Sequence, residues 1–180
     1  MAWGRGLMNE EQLDGPKKIE GDNRAPAGVF NLGTAFGYAE RAPFKTWPYL
    51  PLTTDIVAVD DPQSRHYNQL IDTRKISDRD WKSAENMILP DIRYKWGLVV
   101  EHNHDPAVAG RGSCIFLHVW KDENTPTTGC TAMPEPALLH ILGTLRPNAH
   151  PLLVQMPASV YEEKREAWRL PELVRMPSAQ

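Results

Sequence analysis

The stretch from Gly112 to Met133, GSCIFLHVWKDENTPTTGCTAM, decides how this chain is read. It opens with an apolar run, Ser113-Cys114-Ile115-Phe116-Leu117-His118-Val119, whose aromatic and β-branched content predicts a buried strand with His118 near its end. A polar loop follows, and then Thr127-Thr128-Gly129-Cys130 in a Thr/Gly turn. A strand-borne histidine and a cysteine just past a glycine turn can be folded against each other. A thiolate–imidazole pair of this kind makes a cysteine nucleophilic near neutral pH.

Acyl transfer at a cysteine needs three things: a deprotonated thiol, a base to shuttle the proton, and donors for the developing oxyanion. Cys130 supplies the thiol, and His118 is the natural base. The backbone N–H groups of Gly129 and Cys130 are the candidate oxyanion donors, and a glycine there lets the backbone approach a substrate closely. The hydroxyls of Thr127 and Thr128 are candidates to orient the thiol or to contact a peptide. The plainer reading stands beside this one: a cysteine after glycine is most often a turn residue, and a strand histidine is most often packed and hydrogen-bonded.

Working outward, 180 residues suit one domain with a real core. Sixteen prolines and twelve glycines predict many turns and short elements, hence a β-rich fold with a few short helices. A net charge of −3 gives no reason to expect nucleic-acid binding. No apolar run approaches the length of a membrane span. Cys114, inside the apolar run, reads as a small buried hydrophobe. Two free thiols are favoured, although pairing of Cys114 with Cys130 in an oxidising compartment stays open. Met1-Ala2-Trp3-Gly4-Arg5-Gly6 lacks the apolar region of an export signal, which by itself points to the cytoplasm.

The remaining segments predict short elements. Residues 1–28 read as loop with a hairpin. Gly28–Gly33 reads as a strand with Phe36-Gly37-Tyr38 as its continuation or partner, and residues 42–53 as a packed irregular loop. Ile56–Val59 and Tyr67–Ile71 are strands, Ser83–Ile88 one or two helical turns stopped before Pro90, and Trp96–Val100 a buried strand. Pro136 suits the first turn of a helix carrying Leu138, Leu139, Leu142 and Leu145. Leu152–Gln155 is a last strand and Val160–Trp168 a last helix.

These segments together resemble the YkuD-type L,D-transpeptidases, which remodel bacterial peptidoglycan. His118, Thr127, Gly129 and Cys130 match the family's strand-end histidine and its Ser/Thr–x–Gly–Cys turn. Arg24-Ala25-Pro26-Ala27-Gly28-Val29-Phe30 is similar to its "TPxGxF" segment. Arg65-His66-Tyr67-Asn68, Trp96–Val100 and Gly112–His118 resemble the branch common in Gram-negative bacteria. The resemblance runs from about Trp3 to Pro157, with its specificity mainly in residues 112–133. It implies an L,D-transpeptidase-like catalytic domain over residues 1–157, with 158–180 a short helix and tail of the same domain. It also implies earlier strands and an export signal upstream of Met1, hence a periplasmic or cell-envelope protein. Three departures bear on substrate preference. Ala132 stands where the family has Arg or Asn, the His-to-Cys loop is shorter, and Thr128 replaces a frequent histidine.

The resemblance further implies a cysteine transferase acting on peptidoglycan stem peptides, with no metal and no organic cofactor. Cys130 would attack the diaminopimelate carbonyl and release D-alanine, and an amine or water would resolve the thioester. A carbonyl just after the histidine, that of Val119, would orient the imidazole. Arg24, Arg65 and Lys18 are the candidate cations for the donor's carboxylates, and His66 and Tyr67 the candidate cleft lining. Two rivals remain. One is a zinc peptidase built on His102 and His104 in Glu101-His102-Asn103-His104-Asp105. The other is a non-catalytic peptidoglycan-binding homologue, which Ala132 makes plausible.

Overall fold

Side-chain alternation along a few strands sorts this molecule into layers. The computed structural model describes residues 3–6 and 13–173. In chain order the elements are β1 (Trp3–Arg5), β2 (Ala25–Gly37), β3 (Tyr49–Pro51), β4 (Ile56–Val59), β5 (Gln69–Asp72), β6 (Ala84–Asn86), β7 (Trp96–Val100), β8 (Phe116–Val119), β9 (Thr131–Met133), α1 (Glu135–Thr144), β10 (Leu152–Gln155) and α2 (Ala158–Lys164). Among the described residues the protein is mainly β, with one mixed sheet, one antiparallel sheet and two short α-helices.

The larger sheet runs β1-β2-β7-β8-β9, and β3 and β10 also pair with the long strand β2. The smaller sheet is β5-β4-β6, antiparallel throughout. Period-two alternation then assigns the faces. Leu98 and Val100 of β7, with Leu117 and Val119 of β8, pack on one side against Leu138 and Leu142 of α1. Phe116 points the other way and joins Phe36, Tyr94 and Cys130 against Ile56 and Ala58 of β4. The opposite face of β4, Val57 and Val59, packs against Ile71 and Trp81. The order of layers is therefore α1, large sheet, small sheet.

The layer between the two sheets is close-packed around aromatic rings. Phe36 meets Phe116 edge-on at 5.0 Å and Tyr94 edge-on at 5.7 Å. Gly97 of β7 is what admits Phe36, since a Cβ there would lie 2.2 Å from its ring. On the far side, Glu135 at the start of α1 accepts from Trp96 Nε1 at 2.9 Å and pairs with Lys95 Nζ at 2.8 Å, which ties the helix to β7.

Several expectations hold and others need correction. Gly28–Gly33 and Phe36–Gly37 are parts of one strand, β2, and α1 carries its Pro near the N-terminus with Leu138 and Leu142 fully buried. Ser83–Ile88 is not helical. Residues 84–86 are strand β6, because Glu85 pairs with Ala58 and the pairing of a buried neighbour outweighs a weak local helix preference over so few residues. Residues 1–28 hold no hairpin among the described residues. Trp3–Arg5 instead pairs in parallel with Ala25–Ala27, and residues 7–12 lie outside the described ones. The strand expected from Ser113 begins at Phe116, because Cys114 has φ +53° and breaks the extended run. The last helix starts at Ala158 and ends at Lys164, and residues 174–180 of the expected tail lie outside the described ones. Among the described residues no helix is long and apolar enough to cross a membrane.

Candidate active site

Strands β8 and β9 run parallel with Leu117 opposite Thr131, His118 opposite Ala132 and Val119 opposite Met133. Opposed residues project to the same face, and so do residues two apart on one strand. His118, Phe116, Ala132 and Cys130 therefore share the face that looks toward the small sheet. Cys130 Sγ accepts the Phe116 N–H at 3.4 Å, which fixes the cysteine beside β8.

His118 is 4% exposed, and its Nδ1 lies 2.7 Å from the Val119 carbonyl oxygen. A carbonyl can only accept, so Nδ1 carries the proton and Nε2 is left with its lone pair. Tyr94 stands edge-on to the imidazole at 5.4 Å. Burial pulls the imidazole pKa below its usual value, with Arg93 adding to the fall and the Val119 carbonyl and Asp91 opposing it, which favours the neutral ring.

Cys130 is 8% exposed. Burial pushes its thiol up to about 12, against the opposing effect of the Phe116 N–H. The S–H points to the Cys114 carbonyl oxygen, 3.5 Å away. The resting pair is therefore a neutral thiol and a neutral imidazole, not a preformed thiolate–imidazolium. Both cysteines are free. Burial raises Cys114 as well, consistent with a packing role.

The turn before Cys130 holds itself. Thr127 Oγ1 donates to the Cys130 carbonyl oxygen at 2.6 Å and accepts the Gly129 N–H at 3.5 Å. Gly129 has φ +143°, and a Cβ there would meet the Arg24 carbonyl oxygen at 3.1 Å, so the turn rests directly on residue 24.

Two openings reach the cysteine. The one on the His118 side is a cleft of about 70 Å³ whose walls include Arg93, Tyr94, Lys121 and Thr127. The other, of about 290 Å³, is walled by Lys18, Glu20, Asp60 and Ser113. Glu85, Thr128 and Cys130 line both.

The remaining expected residues fall elsewhere. Arg65 pairs with Asp78 and approaches Asp80 at 3.8 Å on the outside of the small sheet. His66 packs edge-on to Trp81 at 5.6 Å. Tyr67 is buried and donates its hydroxyl to Glu20, one residue removed from the larger opening. Arg24 contributes its carbonyl beneath Gly129, not a wall of either opening. Lys18 does reach the larger opening, ion-paired to Asp22 at 2.6 Å. The cations beside His118 are instead Arg93 and Lys121. Arg93 lies in a stretch without hydrophobic period, and only the closeness of Lys121 to His118 in sequence was a signal.

The zinc arrangement does not form. His102 is 2% exposed, bonded through Nε2 to the Arg111 carbonyl at 2.8 Å and edge-on to Phe30 at 5.9 Å, whereas His104 is exposed. Among the described residues no three His, Cys, Asp or Glu side chains are grouped to hold a metal ion. No family model matches this chain, and no curated protein or solved structure is significantly similar to it.

Proposed function

We propose that this protein is an L,D-transpeptidase-type enzyme of the cell envelope, with a YkuD-like catalytic domain, that transfers an acyl group from a peptidoglycan stem peptide through Cys130. The observation that carries the reading is His118: its Nδ1 is locked to the Val119 carbonyl while its ring shares one strand face and one opening with the Cys130 thiol.

The chemistry follows from the protonation states. As Cys130 Sγ attacks the carbonyl of the third stem residue, His118 Nε2 takes the thiol proton in the same step, because the thiol is not ionised beforehand. The N–H groups of Gly129 and Cys130 are the candidate donors to the oxyanion. His118 then returns the proton to the leaving nitrogen, D-alanine departs, and a thioester remains. Lys121 offers positive charge to the donor's carboxylates beside the histidine, the task that Ala132 cannot perform, with Arg93, paired to Asp91 at 2.9 Å, next to it.

Intact-mass spectrometry after incubation with a carbapenem, an acylating agent this reading predicts to trap the thiol, tests it. A single adduct on the wild type, absent from Cys130→Ala, supports an activated nucleophile. Folded protein that gains no adduct overturns the reading in favour of a non-catalytic, peptidoglycan-binding protein.

A further inference from the structure

Glu85 stands where the two openings meet. Its strand pairs it with Ala58, whose side chain faces the large sheet, so Glu85 projects to the same side, toward Cys130. Tyr94 Oη donates to Glu85 Oε1 at 2.6 Å, and the Tyr94 ring lies edge-on to His118. Glu85, Tyr94, His118 and Cys130 thus form one contiguous wall. Among the described residues no salt bridge neutralises Glu85. The larger opening that it borders also carries Glu20 and Asp60, and its one lysine, Lys18, is already paired with Asp22. An arriving group there meets three carboxylates gathered around one lysine, an arrangement that favours a cation.

We propose that Glu85 binds the incoming amine and takes up its proton, so that this site resolves its thioester with an amine in preference to water. This rests on the reading of Cys130 as the acylated nucleophile. An amine acceptor arrives as an ammonium and cannot attack until it loses a proton. One proton passes from the ammonium to the Glu85 carboxylate. The freed nitrogen lone pair forms a bond to the thioester carbonyl, the C–S bond breaks, and the second proton on that nitrogen passes to the sulfur through His118. Glu85 then gives its proton to solvent. The products are an amide and the regenerated thiol, and no co-reactant is required. Burial, with Asp60 nearby, raises the Glu85 pKa and so strengthens it as a base toward an ammonium, against the lowering effects of Tyr94 and Arg93.

The test uses the full chain with a synthetic L-Ala-D-Glu-diaminopimelate-D-Ala donor and Nα-acetyl-lysine amide as acceptor. Amide and hydrolysis products are quantified by mass spectrometry, and carbapenem acylation of Cys130 is timed separately. In Glu85→Gln, the ratio of amide to hydrolysis product formed by the enzyme that has been acylated should fall at least about tenfold, since a positioned base is worth roughly 100-fold or more. Glu85→Asp, which keeps the charge, should recover most of the ratio and serves if the glutamine variant melts early. An unchanged ratio, whatever the rate of acylation, or a wild type that uses only water overturns the inference and leaves the thioester chemistry standing. A wild type that is never acylated overturns both.

Discussion

At the scale of single residues, the neutral resting state of Cys130 and His118 has a measurable consequence. Burial keeps the thiol protonated at pH 7, so under the proposed mechanism attack depends on His118 accepting the proton. His118 must be unprotonated to do so, and its pKa lies below the usual value. The fall in the rate of Cys130 acylation on acidification should therefore be centred below about pH 6.5, the ordinary imidazole value; a drop centred above it would refute this. Gly129→Ala should slow acylation by at least about tenfold, because φ +143° is strained for a side chain and its Cβ would press on the Arg24 carbonyl. His102 gives a stability prediction. Folded, its pKa is lowered to about 4 by burial, whereas unfolded it protonates near 6.5. Between those values the unfolded chain binds more protons, so stability falls on acidification by up to about 3 kcal/mol. Urea unfolding at pH 7 and pH 5 should register the loss, and His102→Gln should reduce it. Cys130 and His118 could be named in advance because a short, strongly patterned segment carries both, and the Val119 carbonyl as partner of His118 was implied by the resemblance alone. Glu85, Tyr94 and Arg93 could not, since each reaches the site through strand pairing or a loop that leaves no local periodicity.

Among the elements, legibility tracks how much of an element's stability is local. Ile56–Val59 and Trp96–Val100 are continuous apolar runs and form strands at the expected residues. Helix α1 is similarly plain, with Pro near its start and leucines at helical spacing. Strands β3, β6 and β9 are three residues each and exist because a neighbour offers a free edge, information held by β2, β4 and β8 instead. Packing between elements can be tested directly. Leu138→Ala in α1 should cost about 2–5 kcal/mol in chemical denaturation, as a fully buried leucine facing β7 and β8. Gly97→Ala should be at least as damaging, because the added methyl overlaps the Phe36 ring and the aromatic cluster around it is already close-packed.

For the whole molecule, the layered order explains why the candidate site lies between two sheets. The large sheet is covered on one face by α1 and on the other by the small sheet, and the candidate site opens at the seam of the second interface. Strand β7 has partners on both edges, as does β8, whereas among the described residues β10 pairs with β2 alone. Amide hydrogen exchange should accordingly be slowest at the central residues of β7 and β8 and faster in β10. Uniform protection across the three would contradict this arrangement of layers.

The parallel pairing of β8 with β9 also divides the chain into parts that tolerate length change and parts that do not. Residues 120–130 connect the two strands outside the ladder, so insertions around Asp122–Asn124 alter the mouth of the cleft without moving the pair. One residue added between Cys130 and Ala132 would instead reverse the parity of the cysteine and turn its sulfur toward α1. Variation in the connecting loop can therefore reshape the cleft, while the placement of Cys130 is protected by counting in twos.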